Sequence, residues 1–205
     1  GDGTAVDVLA YNGRLDTSTG CVVSGLTGGL EYSYQVTALS LAGESDRSVV
    51  MHSPTSPTRV VGVASVTQTT SSIALTWDAP IASSSGDQDA TGYVVYRNSG
   101  VGTSVDVVAC NGRLDVTTSC AVSGLSGGVE YSYQVTALSS AGESDRSVAM
   151  ESSTAPAQIS GVSSSVQTTS SITLTWSAPT AEGAGQEATG YIVYRNDGLG
   201  GTSMS

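Results

Sequence analysis

The ten residues "EYSYQVTALS" stand at 31–40 and again, unchanged, at 130–139. Within the second copy Tyr131, Tyr133, Val135 and Ala137 alternate with Ser132, Gln134 and Thr136. That period of two sends successive side chains to opposite faces, as in a half-buried β-strand. A strand-like stretch repeated letter for letter within 205 residues marks an internal repeat. Its period is 99 residues, from Glu31 to Glu130, from Gly43 to Gly142 and from Trp77 to Trp176.

The pairing extends outward from these ten residues. "SSIALTWDAP" at 71–80 answers "SSITLTWSAP" at 170–179, and "TGYVVYRN" at 91–98 answers "TGYIVYRN" at 189–196. The last pair falls one residue short of the period. The missing residue lies in the Ser/Gly-rich stretch 81–90, which reads as a loop. Ile73, Leu75 and Trp77 share one face, with Ala74 and Thr76 on the other; Tyr93 and Val95 alternate with Val94 and Tyr96. No sustained helical period appears. Strands of about 5–9 residues, parted by Gly, Ser and Asp turns, predict an all-β sandwich. About seven strands in roughly 100 residues is the size of an immunoglobulin-like sandwich.

The order "P…V..V....T.SSI.LTW..P", then "TGY.VYRN", then "GL.GG.EYSYQVTALS.AGES" resembles a fibronectin type III module across nearly the whole chain. The resemblance implies that Trp77 and Trp176 pack in cores. It implies that Tyr32 and Tyr131 form tyrosine corners preceded by Leu26 and Leu125, and that the "AGES" turn leads into the last strand. By this pattern residues 54–153 are one complete module. Residues 1–53 are expected to be the C-terminal half of a module and residues 154–205 the N-terminal half, giving tandem β-sandwiches. Thr4, Thr103 and Thr202 hold the same place in the repeat. Such halves would leave Ile172, Leu174, Trp176, Tyr191 and Val193 open to water. The expected partners are therefore head-to-tail copies of the chain or continuing repeats of the same chain. The short Pro-containing stretches "HSPTSPT" at 52–58 and "ESSTAPA" at 151–157 read as semi-rigid linkers.

The formal charge of −11, with seven Arg and no Lys, repels phosphate backbones and anionic lipid headgroups. Nucleic acid and membrane insertion are excluded as expectations, the second also because no apolar run is long enough to span a bilayer. The abundant Ser and Thr leave room for O-linked glycans.

Within the module, Cys110 and Cys120 flank "NGRLDVTTS" and read as a disulfide closing a local loop in an extracellular setting. Cys21 matches Cys120, but Tyr11 stands where Cys110 would be. Cys21 is then an odd cysteine: a small buried residue, an intermolecular bridge, or a sign that residue 11 is wrongly assigned. His52 is the sole histidine and reads as a solvated linker residue without partners, which excludes a Ser/His/Asp relay. "GDQD" at 86–89, answered by "GQE" at 185–187, reads as an acidic loop rather than a calcium site. "LDT" at 15–17 and "LDV" at 114–116 resemble short acidic receptor motifs, but a turn explains them equally. Tyr96 and Tyr194 point outward and read as edge or inter-module contacts rather than a sugar platform. No catalytic residue, metal ligand or cofactor site is expected. The sequence reading is an extracellular structural repeat protein, acting as a spacer, surface fibre or adhesive filament. Its rivals are the accessory region of a secreted carbohydrate-active enzyme and a receptor ectodomain.

Overall fold

The computed structural model describes residues 8–13, 16–80, 89–100, 102–179 and 187–196. Every helix or strand element among them is a β-strand. In chain order these are β1 (Glu31–Tyr34), β2 (Leu39–Ser40), β3 (Gly43–Glu44), β4 (Met51–Pro54), β5 (Val61–Gln68), β6 (Ser72–Asp78) and β7 (Gly92–Arg97). They continue with β8 (Val107–Gly112), β9 (Ser119–Ser123), β10 (Glu130–Ser139), β11 (Gly142–Glu143), β12 (Met150–Ser153), β13 (Ser160–Gln167) and β14 (Ile172–Ser177).

Residues 54–153 contain a two-sheet sandwich. One sheet runs β5-β6-β9; the other runs β11-β10-β7-β8, with β12 also on β10, and every pairing is antiparallel. The period-two alternation decides what faces inward. Ile73, Leu75 and Trp77 of β6 meet Tyr93 and Val95 of β7 and Tyr131, Tyr133, Val135 and Ala137 of β10 in one core. Trp77 is 5% exposed and sets its ring edge-on to Tyr93 at 5.4 Å. Burying such side chains contributes roughly 1.5–3 kcal/mol each, which drives the two sheets together.

Two segments depart from the expected strands. Residues 144–149 do not run as a strand after the "AGES" turn. Ser144 and Ser147 donate their backbone N–H groups to Ala137 O and Val135 O, both at 2.9 Å. In return the N–H groups of Ala137 and Val135 donate to the two serine hydroxyls, at 3.0 and 2.9 Å. Side-chain oxygens thus replace carbonyls at this edge, and the backbone polar groups of β10 stay satisfied without a regular ladder. Residues 191–196, expected as a strand, are also irregular. Their sequence match in β7 is held between β10 and β8, and 191–196 have no such neighbours among the described residues.

The same lesson appears in the repeated decapeptide. At 130–139 it is one ten-residue strand, β10, flanked by β7, β11 and β12. At 31–40 it is broken into β1, paired with β4, and the two residues of β2, paired with β3. Trp176 is half-buried against Tyr191 and Tyr32 is half-buried, while Leu26 is 36% exposed. Their expected core surroundings are not formed, because no second sheet covers them among the described residues.

Candidate functional site

The local loop of the module is covalently closed: Cys110 of β8 is bonded to Cys120 of β9, with Cα atoms 6.6 Å apart, a separation that accommodates a disulfide. The bridge ties the edges of the two sheets together. Inside the loop the Asp115 carboxylate accepts the Thr117 N–H at 2.9 Å, which holds its pKa below the ordinary value. Asp16 accepts the Ser18 N–H at 2.8 Å in the same way. Both aspartates of the "LD" tripeptides are therefore turn formers. Cys21 is free and exposed, which corrects its reading as a small buried residue. Its missing partner position is occupied by Tyr11, whose hydroxyl donates to Asp16.

His52 is also corrected. It belongs to β4 rather than to a linker, opposite Ser33, and it has partners. Its Nδ1 lies 2.9 Å from Ser33 Oγ and 3.3 Å from Glu31 Oε1. A Ser/His/acid relay needs the nucleophile and the acid on different ring nitrogens. Here both converge on Nδ1 at an exposed two-stranded ribbon, so no relay is built.

The outer face of the larger sheet carries a polar cluster. Glu143 Oε1 accepts hydrogen bonds from Tyr96 Oη at 2.7 Å and Thr136 Oγ1 at 2.6 Å. Burial pushes the Glu143 carboxyl up, but these bonds and the nearby Arg113 and Arg146 outweigh it and hold the pKa below its ordinary value. The Arg146 guanidinium lies 4.1 Å from the Tyr96 ring centre and also donates to the Val105 carbonyl. Tyr96 thus spends one ring face and its hydroxyl within the module, while Tyr194 is exposed. Of "GDQD" and "GQE", all but Asp89 and Glu187 lie outside the described residues.

The linkers are pinned, a feature that sequence reading missed. The Thr154 hydroxyl accepts the Val129 N–H at 3.0 Å and donates to Ser126 O at 2.7 Å; the Gly128 N–H donates to Ala155 O at 2.9 Å. Ninety-nine residues earlier the Thr55 hydroxyl accepts the Leu30 N–H and donates to Thr27 O, and the Gly29 N–H donates to Ser56 O. Small residues permit this approach. A Cβ on Gly127 would sit 3.0 Å from Ala157 Cα and 3.1 Å from Thr70 O. The recurrence of Thr55 and Thr154 at the repeat spacing was the available signal.

Residues 55–153 match the family model described as "Fibronectin type III domain". The chain is 31% identical over 193 residues to chitinase A1 of Niallia circulans, covering 87% of this chain and 24% of that protein. It is 33% identical over 150 residues to exoglucanase B of Cellulomonas fimi, covering 69% of this chain and 12% of that protein. The chain therefore spans a quarter or less of the length of these curated relatives. Among solved structures, a set of titin domains aligns at 23% identity with a TM-score of 0.42, over 60% of this chain and 40% of that one.

Proposed function

With residues 55–153 a fibronectin type III domain, we propose that this chain is a non-catalytic, extracellular spacer region of a carbohydrate-active enzyme, built from tandem copies of that module. The observation that carries this reading is the alignment to chitinase A1, which extends over 87% of the chain and so well beyond the single module. The sequence reading had ranked this role below a structural fibre. The kinship to two polysaccharide-cleaving enzymes reverses that order.

The structure supports a spacer physically. A useful spacer holds its ends apart, and a linker bonded to the preceding loop moves less than a free one. Thr55 and Thr154 each fasten a linker through side-chain hydrogen bonds, and the Gly29 and Gly128 N–H groups add backbone bonds to Ser56 O and Ala155 O. The Cys110–Cys120 bridge fits an oxidising, extracellular compartment.

The test is the native polypeptide. An antibody raised to residues 54–153 should capture a protein whose peptide map includes a polysaccharide-cleaving catalytic domain. The purified 205-residue chain should release no reducing sugar from chitin or cellulose. Sugar release by the chain alone, or a captured polypeptide made only of repeats, contradicts the reading. The second outcome favours the fibre, for which the letter-for-letter repeat at 31–40 and 130–139 is the specific observation.

A further inference from the structure

The linker at 55–58 is held from both sides, and Ser56 carries a contact to each. On the preceding side the Gly29 N–H donates to Ser56 O at 2.7 Å, and the Thr55 N–H donates to Leu30 O at 2.8 Å. A Cβ on Gly28 would sit 3.1 Å from Ser56 O and 3.3 Å from Thr58 Cγ2, so the loop at 27–30 lies directly on the linker. On the following side the Ser56 hydroxyl donates to Ala141 O at 3.3 Å, in the turn that joins β10 to β11. A Cβ on Gly142, in the same turn, would sit 3.3 Å from that hydroxyl oxygen. Pro57, next in the chain, is buried, and its ring fixes the backbone φ near about −65°. Loop, linker and turn thus stack in three layers.

Only the first of these grips belongs to the repeat. At the second linker the Gly128 N–H donates to Ala155 O, and the Ala155 N–H donates to Thr69 O, both at 2.9 Å. Thr69 lies in the turn between β5 and β6, so both bonds run back to the sandwich that the linker leaves. The residue ninety-nine places after Ser56 is Ala155, which has no hydroxyl. Backbone pinning to the preceding loop therefore recurs, while the side-chain bond to the following module is made by Ser56 alone among the described linker residues.

We propose that Ser56 is an orientation latch between successive units of the chain. Its carbonyl holds the loop at 27–30 and its hydroxyl holds the turn at 139–142, so the β1–β4 ribbon and the sandwich at 54–153 keep one mutual direction. A short Pro-containing linker by itself sets a distance, and units joined through a small contact swivel about it. Bonds to both flanking units remove that swivel. The proposal deepens the spacer reading and rests on it only for its use: parts of an enzyme joined across this junction would be held in a set direction as well as at a set distance.

Residual dipolar couplings of the nitrogen-labelled 205-residue chain test the latch, together with the variants Ser56→Ala and Gly28→Val. Ser56→Ala removes the bond to Ala141 O. Gly28→Val puts side-chain atoms where the loop meets Ser56 O. Neither residue belongs to the core of residues 54–153, so the melt of that module is the control and should not move. In the unaltered chain the N–H couplings of 27–34 and 51–54 should fit the same alignment tensor as those of 60–78 and 130–139. In each variant the two sets should need separate tensors. The proposal is overturned if the unaltered chain already needs two tensors, or if either variant keeps the shared one. None of these outcomes bears on whether the antibody captures a catalytic domain, so the latch and the spacer reading fail separately.

Discussion

The hydroxyl of Tyr131 accepts the backbone N–H of Ser126 at 3.0 Å, bridging five residues at the entry to β10. Tyr32 repeats the bond with Thr27 at 2.8 Å. The Tyr131 ring lies in the core, whereas that of Tyr32 is only half-buried. Tyr131→Phe keeps the packing and removes one hydrogen bond, so it should cost about 0.5–1.5 kcal/mol in urea unfolding of residues 54–153. Tyr32→Phe should leave that transition in place. Equal shifts for the two would show that the bond at Tyr131 has no special role.

Trp77→Ala should abolish or nearly abolish the cooperative transition. Truncating a buried Trp costs about 3–5 kcal/mol against a total of roughly 5–15 for a domain. Trp176→Ala, at the matching but half-buried position, should shift the melt of residues 54–153 far less. Calorimetry of both variants checks the contrast, and a near-native melt for Trp77→Ala would falsify the assignment of Trp77 to the core.

Tyr133→Phe should be neutral or stabilising. The Tyr133 side chain is fully buried and its hydroxyl has no hydrogen-bond partner among the described residues; burial raises its pKa. A buried polar group without a partner costs about 1–3 kcal/mol, which Phe does not incur. A loss of more than about 1 kcal/mol in chemical denaturation would reveal a partner for that hydroxyl.

Reduction of the Cys110–Cys120 bridge should destabilise the module by about 2–3 kcal/mol, as expected for closing a loop of this size. The sequence separation is only 10, so the module should stay folded but melt earlier. Without reductant only Cys21 should react with iodoacetamide. Three modified cysteines in the native protein would contradict the bridge.

Glu143→Gln should flatten the acid limb of the stability profile. The folded-state pKa of Glu143 lies below its ordinary value of 4.5, so its contribution is present above that value and is lost as pH falls through the folded pKa. Unfolding midpoints compared between about pH 6 and pH 3 should drop less for Glu143→Gln than for the parent. Identical drops would mean that Thr136 and Tyr96 do not hold the carboxylate.

What the residues declared by themselves was local. Alternation along 73–77, 93–95 and 131–137 named the inward face of β6, β7 and β10, while the 99-residue spacing gave only a period and the resemblance to a fibronectin type III module set its start. The ten-residue separation of Cys110 and Cys120 announced the bridge. Tertiary structure decided the rest, because a strand is stabilised by its neighbours' hydrogen bonds and by the sheet that covers it. Identical residues at 31–40 and 130–139 therefore give a broken ribbon and a ten-residue strand. Trp77 is buried and Trp176 is not, although both close the same apolar alternation. The Ser144 and Ser147 hydroxyls replaced a ladder that the turn pattern predicted as regular strand. His52 acquired Ser33 and Glu31 only once β4 lay against β1. Each of these outcomes depends on contacts between residues distant in the chain, which no local pattern encodes.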